Sequence, residues 1–129
     1  MTFYAKGDAL AIKDALVGKE LTGYELSEDG SEISFMLKER AKITLRAYGD
    51  CCSSTWIEAI DDPESLRGRV LNVEEIEMPE SVQRPTPLCP YPDVVAFYGL
   101  KVTTENGRAV IEYRNNSNGY YGGSLRLVD

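Results

Sequence analysis

Histidine is absent from this 129-residue chain. That omission removes Ser-His-Asp and Cys-His catalysis, His-ligated zinc and the commonest general base near neutral pH. Cysteine is scarce: Cys51 and Cys52 are adjacent and Cys89 stands apart. Thiols so spaced match neither a paired disulfide framework nor the Cys-x-x-Cys repeats of a zinc ribbon, so reduced thiols are expected, with no metal and no cofactor. Positive charge is in deficit, with 14 Lys and Arg against 21 Asp and Glu and a net charge of −7. This opposes long nucleic acids and anionic membrane surfaces, which are held by accumulated cations. A small phosphorylated ligand is not excluded, because an Arg or two and a few backbone N–H groups suffice for it. No apolar run approaches the roughly 18 residues that cross a bilayer, and the start MTFYAKGD lacks the parts of a signal peptide. A cytoplasmic protein is expected.

A hydrophobic share of 43% gives a chain of this length enough apolar surface for one core. A single domain, residues 1–129, is the reading. Asp8 is placed to cap a helix over Ala9 to Val17, with Ala9, Ile12, Ala15 and Leu16 on one stripe and Gly18 as its stop. Period-two alternation then predicts strands over Glu20–Leu26, Glu32–Leu37 and Ala41–Tyr48, an antiparallel meander. Cys51 to Asp61 breaks that pattern and reads as a helical turn or an irregular strand. Asp62 before Pro63 predicts a short helix that ends at Gly68. Arg69–Ile76 alternates again. Five of the six prolines fall between Met78 and Asp93, which predicts a long loop there. Val94–Thr103 and Ala109–Tyr113 flank the hairpin turn Glu105-Asn106-Gly107, and Tyr121–Val128 ends the chain as a strand. The expected fold is α+β, a mainly antiparallel sheet of about six or seven strands with an N-terminal helix and one short helix.

The candidate chemistry lies at both ends of this meander. Asn115-Asn116-Ser117-Asn118-Gly119-Tyr120-Tyr121-Gly122-Gly123 sets two aromatics among amides and glycines. Tyrosine offers a flat face with a polar tip and glycine allows close backbone approach, which suits a planar, polar ligand. A tight strand connection explains the same residues. Cys51-Cys52 beside the only tryptophan, Trp56, reads as a redox or soft-metal corner, or as small residues packed against a core indole. Glu58, Asp61, Asp62 and Glu64 are carboxylates for acid–base work, or simply the acidic start of a helix.

Several of these pieces occur together in a known group. Gly49-Asp50-Cys51-Cys52 with Trp56, Asp61-Asp62, Leu66-x-Gly68, Val102-Thr103-Thr104-x-x-Gly107 and Asn118 to Gly123 resemble a family of small phage and bacterial proteins, itself a domain of unknown function. The resemblance runs from about Leu16 to Leu127. Where that family has histidines before Asn-Gly, this chain has Asn115, Asn116 and Ser117, and Ser124 replaces an aromatic.

The resemblance implies a phage anti-defence sponge of the Thoeris-inhibiting type, which sequesters a cyclic nucleotide signal without cleaving it. Tyr120, Tyr121 and Trp56 would then stack on bases, Arg114, Arg67 and Arg46 would hold phosphates, and Asn116 and Asn118 would meet base or ribose edges. A homo-oligomer whose subunit edges help build the pocket is expected. The competing expectations are a protein-interaction module acting through its acidic surface, with no small ligand, and an enzyme built on carboxylates or a cysteine.

Overall fold

Alternation carries most of the chain into strands. The computed structural model describes residues 3–49, 53–76, 78, 82–86, 89–117 and 123–128. Helix α1, Phe3–Leu16, is followed by β1 (Glu20–Leu26), β2 (Glu32–Leu37), β3 (Lys42–Gly49), β4 (Ser54–Asp61), β5 (Gly68–Ile76), β6 (Val82–Thr86), β7 (Cys89–Thr104), β8 (Gly107–Ser117) and β9 (Gly123–Leu127). In β2 the period is clean: Ile33, Phe35 and Leu37 are buried and their neighbours are half-buried. The strands form one antiparallel sheet in the order β4-β8-β7-β5-β1-β2-β3-β9, with β6 added beside β7.

The sheet folds back on itself. Only two residue pairs, Glu20 with Arg69 and Leu21 with Gly68, join β1 to β5, so this seam separates a wall of β1, β2, β3 and β9 from a wall of β5, β7, β8 and β4. The inward side chains of both walls, among them Phe35, Leu45, Leu125, Val102, Ile111 and Tyr113, form one core. Helix α1 packs against β5 and β9 and adds Ile12 and Leu16 to it. The helix end is tied to the second wall, since Gly18 donates to the Val70 carbonyl at 2.9 Å and Val70 donates to the Lys19 carbonyl at 2.9 Å.

Opposite the seam the end strands meet. The β1–β2 turn reaches across to β4, where Ile57 N–H donates to the Gly30 carbonyl at 2.7 Å. Gly30 has φ 72°, and a Cβ on it would stand 2.6 Å from the Ile57 carbonyl oxygen. The turn occupies part of a strand edge that would otherwise offer unpaired backbone. Within it Asp29 accepts from Ser31 N–H and Ser27 Oγ, each at 3.0 Å, and hydrogen bonds from Ser31 and Ser27 hold its carboxyl below the usual range. At the far end of the same seam the two walls touch through glycines. A Cβ on Gly123 would collide with Thr55 Oγ1, and one on Gly49 would lie 2.7 Å from Ser53 Oγ and 2.8 Å from Thr55 Oγ1.

Several expectations are corrected. Nine strands stand among the described residues where six or seven were expected, so the fold is α+β only in the broad sense and mostly β. The short helix is a 3-10 turn over Pro63–Ser65. Asp62 precedes it with φ 53° and makes no side-chain cap. Helix α1 begins at Phe3, which leaves Asp8 inside it rather than at its cap. Of the two readings of Cys51 to Asp61, the irregular strand holds over β4, with a bulge between Ile57 and Ala59, and the helical turn does not. The proline-rich stretch contributes β6 and the start of β7. Pro85 falls at a register shift, and Pro90 and Pro92 lie where β7 has no β8 partner, positions that spare ladder donors.

The glycine contact makes a direct test. Gly123→Ala is expected to cost roughly 1–3 kcal/mol in urea unfolding, as overpacking does. Because Thr55 is what the new methyl meets, Thr55→Ala combined with it should cost less than the sum of the single changes by on the order of 1 kcal/mol. Strict additivity would mean that the walls do not touch there.

Candidate functional site

The two walls differ along their length. At the end that carries the β7–β8 turn the interior is mostly apolar, with Leu16, Leu66, Val70, Val102 and Ala109 buried beside Thr104, whose hydroxyl donates to the Ser65 carbonyl at 2.6 Å. Toward the other end inward positions become aromatic and polar. Tyr98 and Tyr113 are register partners on β7 and β8, and their rings stack with centroids 5.0 Å apart and planes 12° off parallel. Two residues further along β8, Asn115 is fully buried and its Nδ2 donates to Thr55 Oγ1 at 2.9 Å and Ser53 Oγ at 3.2 Å. Its buried Oδ1 has no hydrogen-bond partner among the described residues. Gly123 N–H donates to Tyr98 Oη at 3.4 Å, which links β9 to the same cluster.

On one side of β7 the ladder to β5 ends at Gly99 and the ladder to β6 begins at Val95. Beside the stacked tyrosines a cavity of about 240 Å³ is lined by Glu75, Ile76, Met78, Phe97, Tyr98, Gly99 and Tyr113. Gly99 makes room for it to be covered, since a Cβ would stand 2.8 Å from Met78 Sδ and 3.0 Å from Ile76 Cγ1. Tyr113 Oη donates to Glu75 Oε1 at 3.4 Å, so the carboxylate is steered by the buried ring. Aromatic faces, a thioether and a carboxylate therefore share one opening. That set can grip a planar group by its faces and hydrogen-bond its edge.

The outward face of the same wall holds three of the expected site residues. Trp56 on β4 pairs with Arg114 on β8, which pairs with Phe97 on β7, so indole, guanidinium and phenyl ring form one row that ends at the cavity. The Arg114 guanidinium lies 4.4 Å from the Phe97 ring centre and binds Glu112 at 3.1 Å. Trp56 Nε1 donates to Glu58 at 2.8 Å. Asn116 follows on the same face, opposite Ser54 and Val95. Arg114 thus stands next to the cavity but already has a carboxylate and an aromatic partner.

Arg67 and Arg46 do not join this group. The Arg67 carbonyl accepts from Asn106 at the β7–β8 turn, more than about 20 Å from Arg114 at the ~3.3 Å rise of a strand. Arg46 faces outward on β3, ion-paired to Glu32 at 2.7 Å. The inward faces of the two walls meet at Gly49 and Thr55, so their outward faces point away from one another. Arg126, not singled out in the sequence, is Arg46's register partner, and its guanidinium lies 3.7 Å from the Tyr48 ring centre.

Tyr120, Tyr121 and Asn118 lie outside the described residues, as do Cys51 and Cys52. The described residues that flank them are neighbours: Gly49 pairs with Gly123, and Ser54 pairs with Asn116. The cavity lining was missed in the sequence, although Phe97-Tyr98-Gly99 repeats the aromatic-aromatic-glycine order of Tyr120-Tyr121-Gly122. Among the described residues no group of three or more Cys, Asp or Glu is arranged to hold a metal ion.

A family model described as "Domain of unknown function (DUF7448)" matches residues 14–127. The chain belongs to that family. Its match covers every strand and the last three residues of α1, so the walls, the glycine contact and the cavity are all inside the family's domain. No curated protein and no solved structure matches the chain. Among the described residues no helix is long and apolar enough to cross a membrane.

Asn115 is the polar group with most at stake in this end of the fold. Asn115→Ala removes the donor to Thr55 and Ser53 and is expected to lower unfolding free energy by about 1–3 kcal/mol with an unchanged urea m-value. A loss below about 0.5 kcal/mol would show that these bonds do not stabilise the β4–β8 pairing at this end.

Proposed function

We propose that this protein binds and holds a small nucleotide-like ligand without transforming it. The observation that carries the reading is the cavity lined by Met78, Phe97, Tyr98 and Tyr113, with Arg114 one ring away. Its volume of about 240 Å³ is below the roughly 300–1,000 Å³ of a site that encloses a drug-sized molecule. One ring system fits it. A base would enter the cavity while sugar and phosphate stay outside, where Arg114 can turn from Glu112 toward an anion. Capture needs complementarity alone and makes no demand for a general base.

In its finer form the reading is that of an anti-defence sponge of phage origin, acting in the host cytoplasm on a cyclic nucleotide signal. Tyr120, Tyr121 and Asn118 join the site in that proposal, because their flanking residues Ser117 and Gly123 stand at the polar end of the fold. Association of subunits belongs to it as well, since one cavity of this size does not enclose a whole cyclic di- or trinucleotide.

Calorimetry against mononucleotides, cyclic di- and trinucleotides and cyclic ADP-ribose isomers tests the reading, with chromatography of the recovered ligand. The expected result is saturable binding of at least one of them, return of the ligand unchanged, and a loss of about tenfold or more in affinity for Phe97→Ala. Absence of heat with the whole panel, together with a stoichiometric protein partner drawn from host lysate, would favour an interaction module instead. Conversion of a nucleotide by the purified protein would point to an enzyme.

A further inference from the structure

We infer that Asn106 is a site of self-modification, deamidated through attack by the backbone nitrogen of Gly107, and that a polar latch at the β7–β8 turn sets how fast this happens. The inference is independent of what the cavity holds. Asn106 is exposed and glycine follows it, so no side chain hinders the attacking nitrogen.

The fold itself asks for both residues. Gly107 has φ 137°, a conformation that side chains disfavour, and a Cβ there would stand 2.6 Å from Ser65 Oγ. Asn106 Nδ2 donates to the Arg67 carbonyl at 2.8 Å, a bond that needs an amide at this position. The geometry of the turn therefore keeps a labile pair in place.

The same contacts hold the pair back. Thr104 is buried, and its Oγ1 accepts from Asn106 N–H at 3.1 Å and donates to the Ser65 carbonyl at 2.6 Å. Next to it Glu105 N–H donates to the Arg69 carbonyl at 3.1 Å, and Arg69 N–H donates to Glu105 Oε1 at 2.8 Å. These bonds fasten the hairpin to the 3-10 turn and the start of β5. With Nδ2 held by Arg67 and Gly107 paired with Thr104 in the ladder, the Asn106 side chain swings onto the following nitrogen only when the latch opens.

The chemistry needs only water. The Gly107 nitrogen gives up its proton and bonds to Asn106 Cγ as the Cγ–Nδ2 bond breaks, and ammonia leaves with that proton. Water then opens the cyclic imide at either carbonyl, which gives aspartate or isoaspartate. The new carboxylate only accepts hydrogen bonds, so it meets the Arg67 carbonyl without a donor and adds negative charge beside Glu105. Because the change runs one way, ageing loosens the latch for good.

Peptide mapping by mass spectrometry of the full chain, held at mildly alkaline pH either folded or in urea, reads the conversion. The folded chain is expected to convert Asn106 about tenfold or more slowly than the unfolded chain, yet faster than it converts Asn72, which valine follows. Thr104→Val removes the hydroxyl at the centre of the latch and is expected to raise the folded rate about threefold or more, with the rate in urea unchanged. Gly123→Ala destabilises the fold at its other end and should leave the folded rate within about twofold. In Asn106→Asp the amides of Arg69 and Glu105 should exchange with deuterium about tenfold faster than in wild type.

No conversion at Asn106 in the folded chain while the unfolded chain converts fully would overturn the site. Equal rates in the two states, or as large an acceleration by Gly123→Ala as by Thr104→Val, would overturn the latch. Unchanged exchange in Asn106→Asp would overturn its release by the product.

Discussion

The contact between two walls of one sheet, made where Gly49 and Gly123 face Thr55 and Asn115, is the constraint on which the rest of this structure depends. A Cβ at either glycine has no room, so the approach is set by what those positions lack. On one side of the contact Asn115 ties Ser53 and Thr55 to β8, and across it Gly123 N–H donates to Tyr98 Oη. The end strands β4 and β9 meet there, and the Gly30 turn satisfies part of the β4 edge. A sheet that closes in this way removes the long exposed edges that invite aggregation.

Closure also explains where the chemistry sits. With α1 packed on β5 and β9, and most apolar side chains gathered near the β7–β8 turn, the stacked tyrosines and Asn115 stand toward the opposite end. The cavity lies there, beside Phe97 and Tyr98 on β7. Arg114 is the cation nearest to it along the register, and its ion pair with Glu112 keeps a positive group in a chain of net charge −7 from acting at a distance. Capture of an anion at this face would therefore depend on short-range contact rather than on steering through the field.

The meander was legible because β2 alternates cleanly, and β1 and β2 run from Glu20 to Leu26 and from Glu32 to Leu37 as the sequence predicts, even though β1 shifts register between Leu21 and Gly23. Strand β4 was not, because the bulge between Ile57 and Ala59 breaks the period on which such a reading relies. Prolines 85, 90 and 92 argued for a loop, and only the three-dimensional pairing reveals that they fall at a shift or where β8 is absent. For the site, Trp56, Arg114 and Asn116 fell on one face because β4 and β8 are neighbours in the sheet. Arg46 and Arg67 were equally plausible as sequence but lie on the other wall and at the other end. Which wall a residue belongs to depends on pairings between strands far apart in the chain, and period-two patterns carry no record of them. The role of Gly49 and Gly123 was hidden for the same reason.

The central claim is that the cavity beside Phe97 and Tyr98 is where a planar ligand enters. The methionine methyl spectrum of the labelled protein during titration with a nucleotide that binds in calorimetry addresses it most directly. Met78 lines the cavity, whereas Met36 lies on β2 in the opposite wall. The account predicts an upfield ring-current shift of the Met78 methyl that saturates with ligand, and no comparable change at Met36. Saturable binding that leaves Met78 in place, or that moves Met36 instead, would contradict it.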